Sequence, residues 1–197
     1  HDIKATVKPA TGERNALWYN PMTDEFNRAD VYNNGIMINL RRGESRILLS
    51  SGRPLNDWRI SNSIARATYR KYADEDSRAI DITKEKWSLS FTEEAPRVKQ
   101  RYKLNRLQTW ENLGDSAAVT MGTGVYTTSF KLSAEDSRRN WQIDLGDVRE
   151  SARVYINDIY VGCAWAVPFV LDCKNALRKG RNTIRIEVTN LPANRIA

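Results

Sequence analysis

The chain has 197 residues, 41% of them hydrophobic, with six tryptophans and eight tyrosines; that composition excludes a disordered chain and suffices for one large domain or two small ones. Thirty-one basic against 24 acidic side chains give a net charge of +7, but RRGESR, DEDSR, KEKW and EDSRR mix the signs, and no helix-turn-helix, zinc or stacked-aromatic RNA motif accompanies them. The charge therefore fits a solvated basic surface first, an acidic polysaccharide such as pectin second, and nucleic acid last. No window reaches the roughly 18 to 20 consecutive apolar residues of a membrane span, and the opening HDIKATVKP lacks the apolar core of a signal peptide.

Residues 1–13 form a polar lead-in broken at Pro9 and Gly12, and NALWYNP follows as a short strand. PMTDEFNRADVYNNG reads as a turn-rich connector ending in Asn34-Gly35. In IMINLRRGESRILLS, Ile36, Ile38 and Leu40 alternate into the turn Arg41-Arg42-Gly43-Glu44, and Ile47 and Leu49 alternate out of it; the spacing predicts a β-hairpin. Ser50 to Pro54 marks a boundary. SNSIARATYRKYADED, beyond it, forms either one short helix or a charged linker, and a partly ordered linker is favoured.

From Ile80 the β pattern returns. ITKEKWSLSF sets Trp87, Leu89 and Phe91 on one face, EEAPRVKQRYKLNRLQTWENLG reads as loop, and GTGVYTTSFKL supplies a further strand. The most legible stretch runs from Trp141 to Leu191. There ARVYIN puts Ala152, Val154 and Ile156 on one face, Asn157-Asp158 makes a tight turn, and IYVG resumes the strand. An aromatic loop, CAWAVP, leads to the short apolar run FVLDC. Gly180 and Asn182 reverse the chain into NTIRIEVTN, with Ile184, Ile186 and Val188 pointing one way. The alternation is that of an antiparallel β-sandwich. The expected organisation is a small β unit over residues 1–55, a linker over 56–79 and a sandwich over 80–197.

The two cysteines, Cys163 and Cys173, flank the aromatic loop. That spacing allows a bridge between neighbouring strands in an oxidising compartment, and it equally allows two buried free thiols, the favoured alternative. No partner histidines or cysteines complete a zinc site.

The succession WQIDLG, SARVYIND, VG, tryptophan loop, PFVLD, LRKGRNTIRIEVTNL and ANRI closely resembles the jelly-roll sugar-binding domain of glycoside hydrolase family 2. It is still more similar to the C-terminal β region of bacterial family 106 rhamnosidases and their β-galactosidase-like relatives. LRRGES resembles the L-x-P-G-E-S turn of β domains attached to glycosidase barrels, with Arg42 in place of the proline, and LQTWENLG resembles an L-x-x-W segment of the family. Asp158 stands where the family's hairpin usually carries glycine. The likeness covers residues 81–197 closely and the first 60 loosely. It implies an all-β chain, an antiparallel β-sandwich of jelly-roll, galactose-binding-like type preceded by a smaller β unit. It also implies an excised or incomplete C-terminal piece of an exported hydrolase, periplasmic or extracellular.

A glycosidase needs two carboxyl groups roughly 5 to 10 Å apart, and the catalytic barrel of the resembled families needs about 250 residues of alternating βα units. Neither is visible here. Glu44, Asp144 and Glu187 read as structural acids in a turn, at a strand end and on a solvent face. Glu111, beside Trp110, is the one acid with a functional reading. The sole histidine is His1, and there is no G-x-S-x-G elbow, phosphate loop or HExxH. The chain is therefore expected to be noncatalytic, without cofactor or metal, and with neither nucleic acid nor membrane as a partner. The expected partners are carbohydrate and the catalytic domain of the same polypeptide.

Sugars stack their C–H patches on aromatic rings, and their hydroxyls hydrogen-bond to amides and carboxylates. Candidate carbohydrate-binding residues are accordingly Trp165 in the aromatic loop, Trp110 and Glu111 in LQTWEN, and Asn157 at the hairpin tip. Contact with an adjacent domain and core packing remain open for Trp165, and turn formation is the competing role of Asn157. Trp18, Trp58, Trp87 and Trp141, in or beside strand patterns, are expected in the core.

Overall fold

The computed structural model describes residues 2–8, 15–22, 24–29, 31–32, 35–53, 68–69, 78–148, 150–173 and 175–191. The chain divides into two units, His1–Arg78 and Ala79–Ala197. Both are built from strands, and the fold is an antiparallel β-sandwich. Among the described residues no helix is long and apolar enough to cross a membrane.

The first unit contains β1 (Ile3–Val7), β2 (Asn15–Asn20), β3 (Glu25–Arg28), β4 (Val31–Tyr32), β5 (Gly35–Leu40), β6 (Ile47–Ser51) and β7 (Thr68–Tyr69). They form a three-stranded sheet in the order β1-β5-β4 and a four-stranded sheet in the order β6-β2-β3-β7. Ala16, Trp18, Ala29 and Ile36 make a small core, with Ile38 and Leu48 packed against it.

Four expectations change in this unit, the first being that the polar lead-in carries the strand β1, paired with β5. The predicted hairpin across Arg41–Glu44 does not form: β5 pairs with β1 and β4, whereas β6 pairs with β2 in the other sheet. The turn between them passes the chain from one sheet to the other. Glu44 holds it in shape by accepting the Arg41 amide at 2.9 Å and the Arg46 guanidinium at 2.8 Å, and Gly43 takes the left-handed φ of 78°. The connector PMTDEFNRADVYNNG contains two strands; polar β3 was hidden by its composition, yet Phe26 lies against Tyr19 with ring centroids 4.8 Å apart. Within the segment read as a linker, Thr68–Tyr69 adds a short parallel strand to β3. Residues 54–67 and 70–77, with Trp58, lie outside the described residues.

The second unit contains β8 (Trp87–Ala95), β9 (Tyr102–Leu104), β10 (Met121–Leu132), β11 (Gln142–Asp144), β12 (Ser151–Ile156), β13 (Ile159–Ala164), β14 (Val170–Asp172) and β15 (Gly180–Thr189). Six of them form one antiparallel sheet in the order β13-β12-β15-β10-β8-β9, and β11 pairs with β14 separately. Register brings the alternating apolar positions into rows. Val154, Ile186, Tyr126 and Leu89 face each other across four strands, as do Ala152, Val188, Gly124 and Phe91. This inner face, closed by Phe169, Leu171 and Cys173 around β14 and by Trp110 and Ala117, is the main core. Burying a Leu, Ile, Val or Phe side chain is worth about 1.5 to 3 kcal/mol, so this face supplies most of the unit's stability.

The hairpin β12–β13 turns at Asn157-Asp158, both left-handed at φ 51° and 64°. Two left-handed residues are what a type I′ turn requires, and Asn and Asp tolerate that conformation better than other non-glycine residues. Trp18, Trp87 and Trp141 take the expected packing roles: Trp18 and Trp87 are buried, and partly buried Trp141 packs on the core. The Trp87 and Trp141 indoles donate to the carbonyls of Ile82 at 3.1 Å and Asp136 at 2.7 Å. EEAPRVKQRYKLNRLQTWENLG, read as loop, holds the short strand β9 and a 3-10 turn over Trp110–Leu113. Three residues of strand are too few to show a period in sequence.

Candidate functional site

The loop between β13 and β14 is pinned at both ends by core residues. Ala164 is 1% exposed and Phe169 5% exposed. The Phe169 carbonyl accepts the Leu145 amide at 2.9 Å, and the Val170 amide donates to the Pro168 carbonyl at 2.8 Å. Between these anchors the chain presents Trp165 at 57% and Val167 at 54% exposure. A tryptophan held in water forgoes the burial its ring would gain in a core. The loop therefore offers a large ring from a fixed base, which settles against core packing for Trp165 within this chain.

Trp110 is placed differently. It is only 7% exposed, stacked on Tyr126 at a centroid distance of 6.2 Å and edge-on to Phe91 at 5.5 Å. Gly124 lies directly beneath its ring, where a Cβ would collide with it. Trp110 is thus a core residue with no open ring face, a correction to its reading as a sugar platform. The cause is the glycine on β10, which leaves space for an indole that a composition-based reading assigned to a loop. Glu111 beside it points into solvent on the 3-10 turn.

Asn157 is committed to the fold. Its Nδ2 donates to the Ala176 carbonyl and to Asn182 Oδ1, both at 2.8 Å, and its Oδ1 accepts the Thr183 amide at 3.1 Å. Asn182, fully buried, also accepts the Arg178 amide and donates to the carbonyls of Arg178 and Gly180. Both amides thereby use their hydrogen-bonding capacity internally, as buried amides must. Turn formation, the competing role, is the one observed for Asn157. Asn182 itself was legible only as a turn residue, because its bond to Asn157 spans 25 positions. Among the described residues no hydrogen bond or ring contact joins Trp165 to Trp110, Glu111 or Asn157.

The three other acids singled out in the sequence make contacts within the fold. Glu44 shapes the turn described above, Asp144 accepts the Gly146 amide at 2.9 Å, and Glu187 pairs with Arg185. No group of three His, Cys, Asp or Glu residues arranged to hold a metal ion occurs among the described residues. Cys163 and Cys173 are free thiols, the first half-buried and the second buried. Burial, with the Asp172 carboxylate next to it, pushes the Cys173 thiol up to about 11, so it is protonated and inert at neutral pH.

One surface escaped the sequence reading. On the outer face of the six-stranded sheet, register aligns Lys103, Ser88, Thr127, Arg185 and Tyr155 in one row. Lys131 stands opposite Arg181 on the neighbouring strand, and Arg153 opposite Glu187. The Arg185 guanidinium lies 3.8 Å from the centroid of the Tyr155 ring and pairs with Glu187. Lys86, Ser88, Thr127, Ser129, Arg181 and Thr183 line a shallow depression of about 270 Å³. These residues are scattered over nearly a hundred positions of sequence, and only strand pairing brings them together.

No model of a known protein family matches the chain. Its sequence is 29% identical over 113 residues to the "Putative beta-glucuronidase" of Formosa agariphila, covering 56% of this chain and 10% of that protein. In structure it resembles a rhamnosidase from Novosphingobium sp. PP1Y, with a TM-score of 0.72 over 99% of this chain and 18% of the rhamnosidase, at 24% identity. The second likeness establishes the fold: the whole chain superposes on a segment of a much larger protein. The chain spans about a tenth of the relative that it matches in sequence. In sequence the chain thus matches a small part of a protein named as a putative β-glucuronidase, and in fold, a β-sandwich, it matches a part of a rhamnosidase.

Proposed function

We propose that the chain is a noncatalytic, carbohydrate-contacting accessory region of a polysaccharide-degrading glycoside hydrolase of the rhamnosidase or β-galactosidase kind, with Trp165 as the contacting ring. The observation that carries this reading is the 57% exposure of Trp165 on a loop whose two ends are buried. A ring in that position meets the C–H face of a sugar without any rearrangement of the core, so little ordering cost accompanies contact. The role is positional: the region holds glycan near a catalytic domain elsewhere in the same polypeptide. A periplasmic or extracellular location goes with that role, since polymeric glycans are met there.

A second reading has its own support. Val167, two positions on in the same loop, is exposed along with Trp165, at 54%, and neighbouring apolar groups at the surface suit packing against another domain. In that case the sandwich buttresses the catalytic barrel and binds no sugar.

Isothermal titration of the chain against neutral and acidic cell-wall glycans, including galactan and rhamnogalacturonan, separates the two. The carbohydrate reading predicts saturable binding that Trp165→Ala weakens tenfold or more, about 1.4 kcal/mol, with an unchanged thermal midpoint. Heatless titrations from a folded sample would leave the buttress.

A further inference from the structure

We infer that the outer face of the six-stranded sheet is a second binding surface, one that takes a glycan bearing carboxylates, such as a uronic-acid polymer. The inference rests on the carbohydrate reading only in choosing a glycan as the carrier of the anions. The basic face itself is independent of Trp165.

The face has one sign. Lys86, Lys103, Lys131, Arg153, Arg181 and Arg185 project from it or line its depression, and among the described residues in paired register Glu187 is its one carboxylate. Glu187 is already neutralised by Arg185. Lys86, Lys103, Lys131, Arg153 and Arg181 are exposed, so their charges are available to a ligand. The chain as a whole mixes its charges, and their segregation onto one face is produced by the alternation of the strands. Like charges gathered on a rigid sheet repel one another and are offset when a polyanion lies across them.

The rest of the face determines which polyanion. Between the cations stand the hydroxyls of Ser88, Thr127, Ser129 and Thr183, which serve as both donors and acceptors to sugar hydroxyls. Tyr155 and Tyr160, with ring centroids 5.4 Å apart, continue the row beyond Arg185. An apolar packing partner finds few counterparts here, since Val125 is the aliphatic side chain that register places among these polar positions. Successive strands lie about 4.8 Å apart, close to the roughly 5 Å length of a sugar residue, so carboxylates along an extended chain meet cations on strand after strand. A nucleic-acid duplex would need its phosphates met along a helical path, which straight rows of cations and hydroxyls do not provide.

The test uses the whole chain and three probes: oligomers of polygalacturonic acid, neutral galactan oligomers of the same length, and a short DNA duplex. Fluorescence anisotropy of the labelled probes is followed at two salt concentrations. The expected result is binding of the uronate oligomer that weakens with salt and falls at least tenfold in the double variant Lys131→Glu/Arg181→Glu. The Trp165→Ala variant should retain it. Both reversed positions are exposed, and circular dichroism checks folding; should that pair fail to fold, Lys86→Glu/Lys103→Glu reads the same face from the other side. Uronate binding unchanged by charge reversal, no uronate binding at all, or equal binding of duplex DNA with the same sensitivity would each overturn the inference. Neutral galactan bound through Trp165 in the same experiment bears on the accessory-region reading alone, so the two claims fail separately.

Discussion

On the inner face of the six-stranded sheet Val154, Ile186, Tyr126 and Leu89 line up across four strands, and one residue along the same strands Tyr155, Arg185, Thr127 and Ser88 line up on the other side. The backbone is common to both rows, so the difference between them is entirely one of side chains. The inner row is held by packing, and each member needs its neighbours. The outer row is held by the sheet, and its members are free to be chosen for what they meet in solvent. Stability therefore belongs to one face, and recognition is available to the other and to the loop at Trp165.

The largest expected effect tests the inner face. Leu89 is fully buried between Tyr126 and Tyr102 in register, and Leu89→Ala is expected to cost about 2 to 5 kcal/mol in urea unfolding. Thr127→Ala, on the outer face of the adjoining strand, should cost less than about 0.5 kcal/mol. Comparable losses at the two positions would erase the distinction between the faces.

A smaller effect probes a close approach within the core. An added methyl at Gly124 meets the Trp110 ring, so Gly124→Ala should destabilise by about 1 to 3 kcal/mol through overpacking and should perturb the near-ultraviolet dichroism of the buried aromatic cluster. A neutral outcome there would mean that Trp110 can swing out, which would reopen its reading as a sugar platform.

The smallest effect lies at the hairpin that joins the two edge-ward strands. Asp158 sits at φ 64°, a conformation that glycine adopts without steric cost. Asp158→Gly should therefore raise stability by roughly 0.5 kcal/mol, leaving both faces untouched. A loss of stability would show that the Asp158 side chain has a role beyond the turn.

Much of this was legible in the sequence where period and burial coincide. Ala152, Val154 and Ile156, then Ile184 and Ile186, alternate cleanly because one face of each strand is buried and the other is wet. The Asn157-Asp158 turn was legible because few residue types tolerate its backbone. Strand pairing was not. The sequence around Arg41–Glu44 has every local mark of a hairpin, and nothing local says that its two arms join different sheets. Trp110 illustrates the same limit at the candidate site, since its burial depends on a glycine fourteen residues later. Trp165 lies exposed in the loop between Gly162 and Pro168 where the sequence put it, whereas the cationic face was invisible because alternation hides a one-sided surface among mixed charges.

The most direct test of the central claim is the indole N–H region of a nitrogen-15 correlation spectrum, recorded while a bound glycan from the titration panel is added. Each of the six tryptophans contributes one indole signal, and Trp165→Phe assigns its own. The account predicts that the Trp165 signal moves saturably while those of Trp18, Trp87 and Trp110, buried in their cores, stay in place. A saturating glycan that leaves the Trp165 signal unmoved would contradict it.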